Sequence, residues 1–216
     1  MSNSKIHGTV MSVNATKSGI PAARLALYTG KNQDGTYKES TMVDLVGKAL
    51  DGLAVKDRVT AEVGNLEEVI FDRKNGAKGS ALKGFAFAAV KEPKGEAFIA
   101  QGNLVADPGV TKNGTPTFRI GVNHKDKDGK EQSSFYTVIV PKADTSGLTK
   151  GSFVEVQGQL SLNIGKDGDK VFRDVVAFGL TALEKGAKSA AAPASEPESD
   201  SMYAQLPDDT DDDLPF

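Results

Sequence analysis

Two arginines stand where charged and apolar residues alternate along the chain. Arg24 and Arg119 are each followed by an apolar residue, with a second apolar residue two positions further on. Successive side chains of a strand point to opposite faces, so this spacing predicts both arginines on an outer face. A guanidinium there can bind phosphate, and the alternative is an arginine that is only solvated. Tyr28 shares the face of Arg24 and is a weaker candidate for the same site.

An aromatic residue, Phe135, shows the same outward spacing. It shares a face with Thr137, whereas the opposite face collects Tyr136, Val138 and Val140. This pattern predicts an exposed ring that can stack on a nucleic-acid base. The competing interpretation is core packing, which is the commoner place for a phenylalanine.

Basic residues near glycines form a third group of candidate phosphate contacts. Loop lysines are usually only solvated, but basic loops at two places favour a role in binding. The first loop supplies Arg73, Lys74 and Lys78, and the second supplies Lys166 and Lys170, with Arg173 beyond it. Weaker candidates of the same kind are Lys31, Lys125 and Lys127.

The candidate residues lie in two copies of one pattern. Short motifs of the first half recur in order in the second half, 94 or 95 residues later. The matched pairs are 17–21 with 112–116, 24–27 with 119–122, 31–35 with 125–129, and 64–66 with 158–160. A nearly constant offset predicts two copies of one fold, and the alternative is a chance likeness between two turn-rich segments.

Each copy is predicted to contain five strands and to form an OB barrel. The expected strands are 5–14, 21–29, 37–46, 57–70 and 80–90, then 98–106, 116–123, 132–140, 152–164 and 170–182. A short helical or turn segment is expected between the third and fourth strand of each copy. In an OB barrel, the face of strands 2 and 3 and the loops 1–2 and 4–5 bind oligonucleotides. Phe85 and Phe87 share one strand face and are interpreted as core or interface residues.

The sequence therefore predicts an all-β protein of two tandem OB-fold domains, 1–92 and 97–185, followed by a disordered segment, 186–216. That last segment is rich in Ala, Ser, Pro and acidic residues and cannot bury enough apolar surface to order itself. Residues 194–216 hold 8 of the 29 acidic residues and no Lys or Arg, which leaves residues 1–193 with 26 basic and 21 acidic residues, a net charge of +5. A basic body with an acidic tail is typical of a nucleic-acid binder.

Composition excludes several other classes of protein. The chain has no cysteine, no apolar run that could cross a membrane and no secretory signal, so we expect a cytoplasmic protein. The two histidines have no evident partner, and no phosphate-loop or zinc-protease motif occurs, so we expect no enzyme activity, no metal and no cofactor.

These motifs together resemble the bacterial single-stranded DNA-binding protein family. The second copy carries the likeness in 118–123, 127–130 and 135–140, and the first copy carries it in 64–71 and 75–76. The resemblance implies that Phe71 and Phe135 stack on DNA bases. The chain departs from the family in having no tryptophan; Thr41 is expected where the second copy has Phe135, and Gly165 where the first copy has Phe71.

The chain end is similar to the tip with which that family binds partner proteins. It consists of Asp211, Asp212, Asp213, Leu214, Pro215 and Phe216. An apolar anchor behind an acidic run can fill a pocket while the aspartates steer it toward basic partners. The resemblance to members with two OB folds per chain also implies a homodimer with four barrels.

The motifs and the resemblance together predict non-sequence-specific binding and protection of single-stranded DNA during replication, recombination and repair, with recruitment of partner proteins through the tip. Two alternatives remain. One is a tandem-OB accessory factor for duplex or branched DNA, and the other is an adaptor whose barrels bind no DNA.

Overall fold

The first half of the chain forms a five-stranded unit. The computed structural model describes residues 4–32, 34–125 and 130–183. The first-half strands are β1 (Ser4–Ala15), β2 (Pro21–Leu27), β3 (Thr41–Val46), β4 (Arg58–Asp72) and β5 (Lys78–Lys91), with a 3-10 turn at Lys48–Leu50 between β3 and β4. We call this unit barrel 1.

The second half repeats this arrangement. Its strands are β6 (Phe98–Leu104), β7 (Gly109–Val110), β8 (Pro116–Lys125), β9 (Glu131–Ile139), β10 (Phe153–Ile164) and β11 (Val171–Leu183). β7 pairs with β8 as the end of β1 pairs with β2, so β6 and β7 together correspond to β1. Pro108 lies in the break between them, and proline cannot donate a ladder hydrogen bond. We call this unit barrel 2.

Both units close into barrels with the same strand order. In barrel 1, β1 pairs with both β2 and β4, and a parallel pairing of β3 with β5 completes the ring. In barrel 2, β6 pairs with β8 and β10, and a parallel pairing of β9 with β11 completes it. The predicted all-β fold with two five-stranded OB barrels is confirmed.

The two barrels are joined through their first strands. β1 and β6 pair antiparallel, with Lys5 opposite Ile99 and Ile6 opposite Phe98. Lys5 and Ile99 are equivalent positions, 94 residues apart, so the junction is close to two-fold symmetric. The pairing makes one continuous sheet, β5-β4-β1-β6-β10-β11, which spans both barrels.

Alternating apolar residues fill the barrel interiors. Ile6, Leu25 and Leu82 are fully buried in barrel 1, as are Ile120 and Leu160 in barrel 2. Burying a side chain of this size contributes about 1.5–3 kcal/mol, so each inward row stabilises the ring. The outward residues of the same strands are thereby left on the surface, where the candidate site residues were expected.

The third strand of barrel 1 begins four residues later than predicted. Tyr37 makes only an isolated bridge with Lys31, and the Thr29 hydroxyl donates to the carbonyl of Glu39 at 2.6 Å. These contacts fold residues 37–40 into the β2–β3 loop rather than into the strand.

Local turns also repeat between the barrels. The Thr16 amide donates to Ile20 and the Thr111 amide donates to Thr115, both at 2.8 Å. Gly19 and Gly114 take positive φ values of 79° and 75°, which glycine adopts without strain. In the described part of the chain, no helix has the length and apolarity required to traverse a bilayer.

Candidate nucleic-acid interface

Barrel 2 presents an arginine stacked on an exposed aromatic ring. Phe135 of β9 lies opposite Gly121 of β8, and its ring is 3.4 Å from where a Cβ of Gly121 would be. Arg119, two residues earlier on β8, places its guanidinium carbon 4.6 Å from the centre of the Phe135 ring. Phe135 is 43% exposed, as its spacing predicted. This combination offers a ring face and a cation at one place.

The equivalent face of barrel 1 is built differently. Arg24 of β2 lies opposite Asp44 of β3, and its Nε and Nη2 donate to the two carboxylate oxygens at 2.6 and 2.8 Å. These hydrogen bonds raise the pKa of Arg24. In barrel 2, Thr137 is the residue opposite Arg119. Arg24 is therefore outward as expected, but its guanidinium is held by a carboxylate.

The strand register corrects one match between the two copies. Phe135 faces Gly121, and the residue in the same place in barrel 1 is Met42, which faces Ala26. Thr41, which was matched to Phe135 in the sequence, is buried and donates to the carbonyl of Leu160 at 2.8 Å. The sequence match failed because the connection from β2 to β3 in barrel 1 is two residues longer than the connection from β8 to β9 in barrel 2, measured between Arg24 and Asp44 and between Arg119 and Thr137.

The β2–β3 loop of barrel 1 carries an aromatic cluster. The rings of Tyr28 and Tyr37 meet edge to face, with their centres 6.1 Å apart. The Lys31 ammonium lies 4.7 Å from the centre of the Tyr37 ring. Tyr28 and Lys31 were predicted site residues, whereas Tyr37 was missed because it was assigned to a strand rather than to this loop. The structure brings these three residues together, and we call them the Tyr28 cluster.

The β4–β5 hairpin of barrel 1, hairpin 1, carries Phe71 near its tip. Phe71 pairs with Gly79, and its ring covers that glycine and is 41% exposed. Two of its predicted cations bind carboxylates, Arg73 with Glu39 at 2.5 Å and Lys78 with Asp72 at 2.7 Å. Lys74 is exposed at the tip.

The β10–β11 hairpin of barrel 2, hairpin 2, carries its aromatic residue on the other strand. Counted from the turn, Asn163 and Phe172 form the second ladder pair of hairpin 2, as Phe71 and Gly79 do in hairpin 1. The Phe172 ring lies 3.3 Å from where a Cβ of Gly165 would be, and it is 53% exposed. The sequence match of Phe71 to Gly165 missed this ring. The signal that could have found it is an aromatic residue just after the turn, on the strand opposite the glycine that begins the turn.

The remaining predicted cations of barrel 2 are surface residues, with one exception. Lys125 ends β8, and Lys166 and Lys170 lie in hairpin 2, all exposed. Within the described ranges, no carboxylate is in ion-pair distance of these three lysines or of Arg119. Lys127 and the tip, Asp211 to Phe216, lie outside the described residues.

The exception is Arg173, which is buried between the barrels. It is 5% exposed, and its Nε donates to Glu68 of barrel 1 at 2.5 Å. Its other nitrogens donate to the Tyr136 hydroxyl at 3.1 Å and to the Leu66 carbonyl. Burial also raises the pKa of Tyr136. The prediction of Arg173 as a surface DNA contact is corrected: its donors bind the protein, and the residue holds the barrels together.

Apolar side chains are exposed on the outer face of the continuous sheet. Phe85 and Phe87 of β5 pack with ring centres 5.2 Å apart, and the register places Val176 and Phe178 of β11 at the same positions in barrel 2. Phe87 and Phe178 are exposed. Of the two interpretations of Phe85 and Phe87, this position favours an interface.

Solved structures similar to this chain include single-stranded DNA-binding proteins. The wild-type protein from Thermus aquaticus has 21% identity and a TM-score of 0.48, covering 90% of this chain and 97% of that chain. A deletion mutant of the same protein has 22% identity and a TM-score of 0.48, over 88% of this chain and 98% of that one. The small protein from Streptomyces coelicolor has 22% identity and a TM-score of 0.31, over 39% of this chain and 89% of that one. No family model and no curated protein sequence matches the chain.

Proposed function

We propose that this protein binds single-stranded DNA with little sequence preference. The observation that carries the proposal is the exposed stack of Arg119 on Phe135, on the outer face of strands 2 and 3 of a closed OB barrel. That face and the adjoining loops are where OB folds bind oligonucleotides. The same function agrees with the motifs that resemble the bacterial single-stranded DNA-binding protein family.

The arrangement suits unpaired bases better than a duplex. Phe135, Phe172 and Phe71 each expose a ring over a backbone glycine, where a flat base can stack. Stacking contributes about 1–3 kcal/mol per base and tolerates any base, because every base has a π face. In a duplex, the bases already stack on each other, so these rings would have nothing to bind.

Lysines and arginines supply the second part of the binding energy. Lys125 at the end of β8, and Lys166 and Lys170 in hairpin 2, are exposed on the barrel that carries the Phe135 and Phe172 rings. Neutralising phosphates releases counterions, so the logarithm of affinity is expected to fall linearly with the logarithm of salt concentration.

Fluorescence titration with poly(dT) and with a duplex of equal length tests this function. We expect tighter binding to the single strand and a steep loss of affinity with salt. Equal or tighter binding to the duplex would favour the accessory-factor alternative. Absence of binding to either would favour the adaptor.

The protein is further proposed to act as a homodimer of four barrels. Phe87, Val176 and Phe178 expose apolar surface beside the half-buried Phe85 on one face of the continuous sheet. Such surface marks interaction sites. A second copy can cover this face about a two-fold axis, which agrees with the near symmetry of the β1–β6 junction. Light scattering should give twice the 22.7 kDa chain mass. Phe87→Asp with Phe178→Asp should give the monomer mass, and a monomer for the unchanged protein would refute the dimer.

The acidic chain end is proposed to recruit partner proteins in replication, recombination and repair. Eight acidic residues and no basic one in 194–216 repel phosphate, so the segment is unsuited to bind DNA. Deleting residues 208–216 should leave DNA affinity unchanged or slightly higher and should abolish partner binding. Calorimetry with tip peptides provides the control: Phe216→Ala should lose binding although every aspartate remains. Normal binding by that peptide would replace the pocket with a purely electrostatic tail.

A further inference from the structure

One cross-strand position determines whether the outward arginine of a barrel is paired with a carboxylate. The second strand of each barrel carries an outward arginine at an equivalent place in the register, Arg24 on β2 and Arg119 on β8. The residue opposite on strand 3 is Asp44 in barrel 1 and Thr137 in barrel 2. Among the residues that the structure describes, barrel 1 alone therefore has a carboxylate in reach of this arginine.

The Arg24–Asp44 pair is better shielded than the other ion pairs near the site. Both Asp44 oxygens accept from Arg24, and the two side chains are 23% and 13% exposed. The Arg73–Glu39 and Lys78–Asp72 pairs are single contacts with side-chain exposures between 39% and 73%. Exposed pairs exchange readily for another anion, whereas a two-fold, partly buried pair resists exchange.

Charged residues on the neighbouring strands do not cancel the difference between Asp44 and Thr137. Lys83 of β5 lies beside Asp44 across the parallel ladder, and Asp174 of β11 lies beside Thr137. Asp174 accepts from the Asn163 amide at 2.6 Å and sits one strand beyond Thr137 from Arg119. Arg119 lies instead against the Phe135 ring, with its outer side exposed.

We infer that Asp44 is an electrostatic latch that withholds Arg24 from DNA, so that barrel 2 is the primary binding surface of each chain. The inference rests on the proposed function and names the residue that sets the order in which the barrels engage. Phosphate must displace the Asp44 carboxylate to reach Arg24, whereas it reaches Arg119 directly. Barrel 1 then contributes mainly through its Tyr28 cluster and hairpin 1.

Exchanging the residue opposite each arginine tests the latch. Asp44→Thr gives barrel 1 the pairing of barrel 2, and Thr137→Asp does the reverse. Each chain then gains or loses one phosphate contact, so the slope of log affinity against log salt should steepen by about 0.7 for Asp44→Thr and flatten by about 0.7 for Thr137→Asp. The measurement is titration of oligo(dT), at several salt concentrations, with thermal melts of each variant.

Asp57→Asn is the matched control for net charge. Asp57 binds Lys91 at 2.7 Å in the turn before β4, away from the β2–β3 face, and the asparagine retains an oxygen for the Ala54 amide. This variant removes one carboxylate from an ion pair, as Asp44→Thr does. Its salt slope should equal that of the unchanged protein.

Arg24→Ala decides the question in the natural background. The latch predicts little change of slope from Arg24→Ala alone, and a flattening of about 0.7 when it is added to Asp44→Thr. A full loss of one contact from Arg24→Ala alone, or equal slopes for Asp44→Thr and the unchanged protein, would overturn the latch while leaving DNA binding intact. If Asp44→Thr does not fold, Asp44→Asn takes its place with the same expected slope. Failure of the unchanged protein to bind oligo(dT) would refute the proposed function itself.

Discussion

Barrel 1 and barrel 2 share one backbone plan but place different chemistry at equivalent points. β3 of barrel 1 has Met42 where β9 of barrel 2 has Phe135. At the next outward position, β3 has Asp44 and β9 has Thr137. Their hairpins both carry an exposed phenylalanine over a glycine, but on opposite strands. Equivalent backbone positions therefore do not imply equivalent contacts, and a doubled fold can support one open and one restrained binding face.

The largest expected effect is a loss of stability on replacing Arg173 of barrel 2, whose equivalent in barrel 1 is a leucine. The register makes Leu82 of β5 equivalent to Arg173 of β11. Arg173→Leu leaves the Leu66 carbonyl and the Tyr136 hydroxyl without their donor and removes the partner of Glu68. We expect the free energy of unfolding in urea to fall by about 3 kcal/mol, the low end for breaking a buried pair, because Glu68 is partly exposed.

Arg119→Leu is the control for this stability change. Arg119 is exposed and contacts only one side of the Phe135 ring, so its loss should change stability by less than about 0.5 kcal/mol. Equal stabilities of the two variants would show that Arg173 does not hold the barrels together.

A smaller effect, on DNA affinity, is expected from removing the Phe135 ring, which β3 of barrel 1 lacks at the equivalent position. Phe135→Ala should weaken oligo(dT) binding by about 1–3 kcal/mol, the value of one stacked base, because the ring is exposed. Met42→Ala, at the equivalent position, should change affinity much less. A large loss of thermal stability with unchanged affinity would show instead that Phe135 serves packing.

The two hairpins should respond alike despite their exchanged strands. Phe71→Ala and Phe172→Ala should each reduce affinity for oligo(dT) by about 1 kcal/mol, near the lower limit for a stacked base. Fluorescence titration of both variants at one salt concentration measures this. Loss of affinity from one variant alone would mean that only one hairpin reaches the DNA.

The smallest effect is the contribution of a buried histidine of barrel 1 to the pH dependence of stability. His7 is buried, and its Nδ1 donates to the Thr60 hydroxyl at 2.9 Å, because that hydroxyl itself donates to Glu92. The equivalent pair in barrel 2 is Gln101 with Glu155. Burial lowers the pKa of His7, with Arg58 contributing in the same direction. The unfolded chain therefore binds a proton more readily, and stability should decrease as pH falls below the ordinary value of 6.5.

His7→Gln gives barrel 1 the residue of barrel 2 and should remove this part of the pH dependence. Urea unfolding of both proteins between pH 7.5 and about 5 measures it. An unchanged pH dependence in His7→Gln would assign the effect to other groups.

The fold could be predicted from the sequence because its determinants are local. Apolar alternation marked the inward rows such as Tyr136 and Val138, and glycine turns such as Gly19 and Gly114 marked the strand ends. The outward positions of Arg24, Arg119 and Phe135 follow from the same alternation. These features depend only on the period of a strand.

The missed features depend on which strands become neighbours. Arg173 looked like a surface cation because nothing in the sequence shows that it meets Glu68, 105 residues away. Asp44 as the partner of Arg24, and Phe172 as the ring of hairpin 2, require the cross-strand register. One change in connection length shifts that register, and a comparison of the copies by sequence offset cannot detect it.

The most direct test of the central claim is to map where the DNA lies. Ultraviolet crosslinking of bound oligo(dT), followed by mass spectrometry of the peptides, locates the bases on the protein. We expect adducts at Phe135 and Phe172 of barrel 2 first, and at Phe71 or the Tyr28 cluster only with longer oligonucleotides. Adducts confined to the outer sheet face around Phe87 and Phe178, or to barrel 1 alone, would contradict the account.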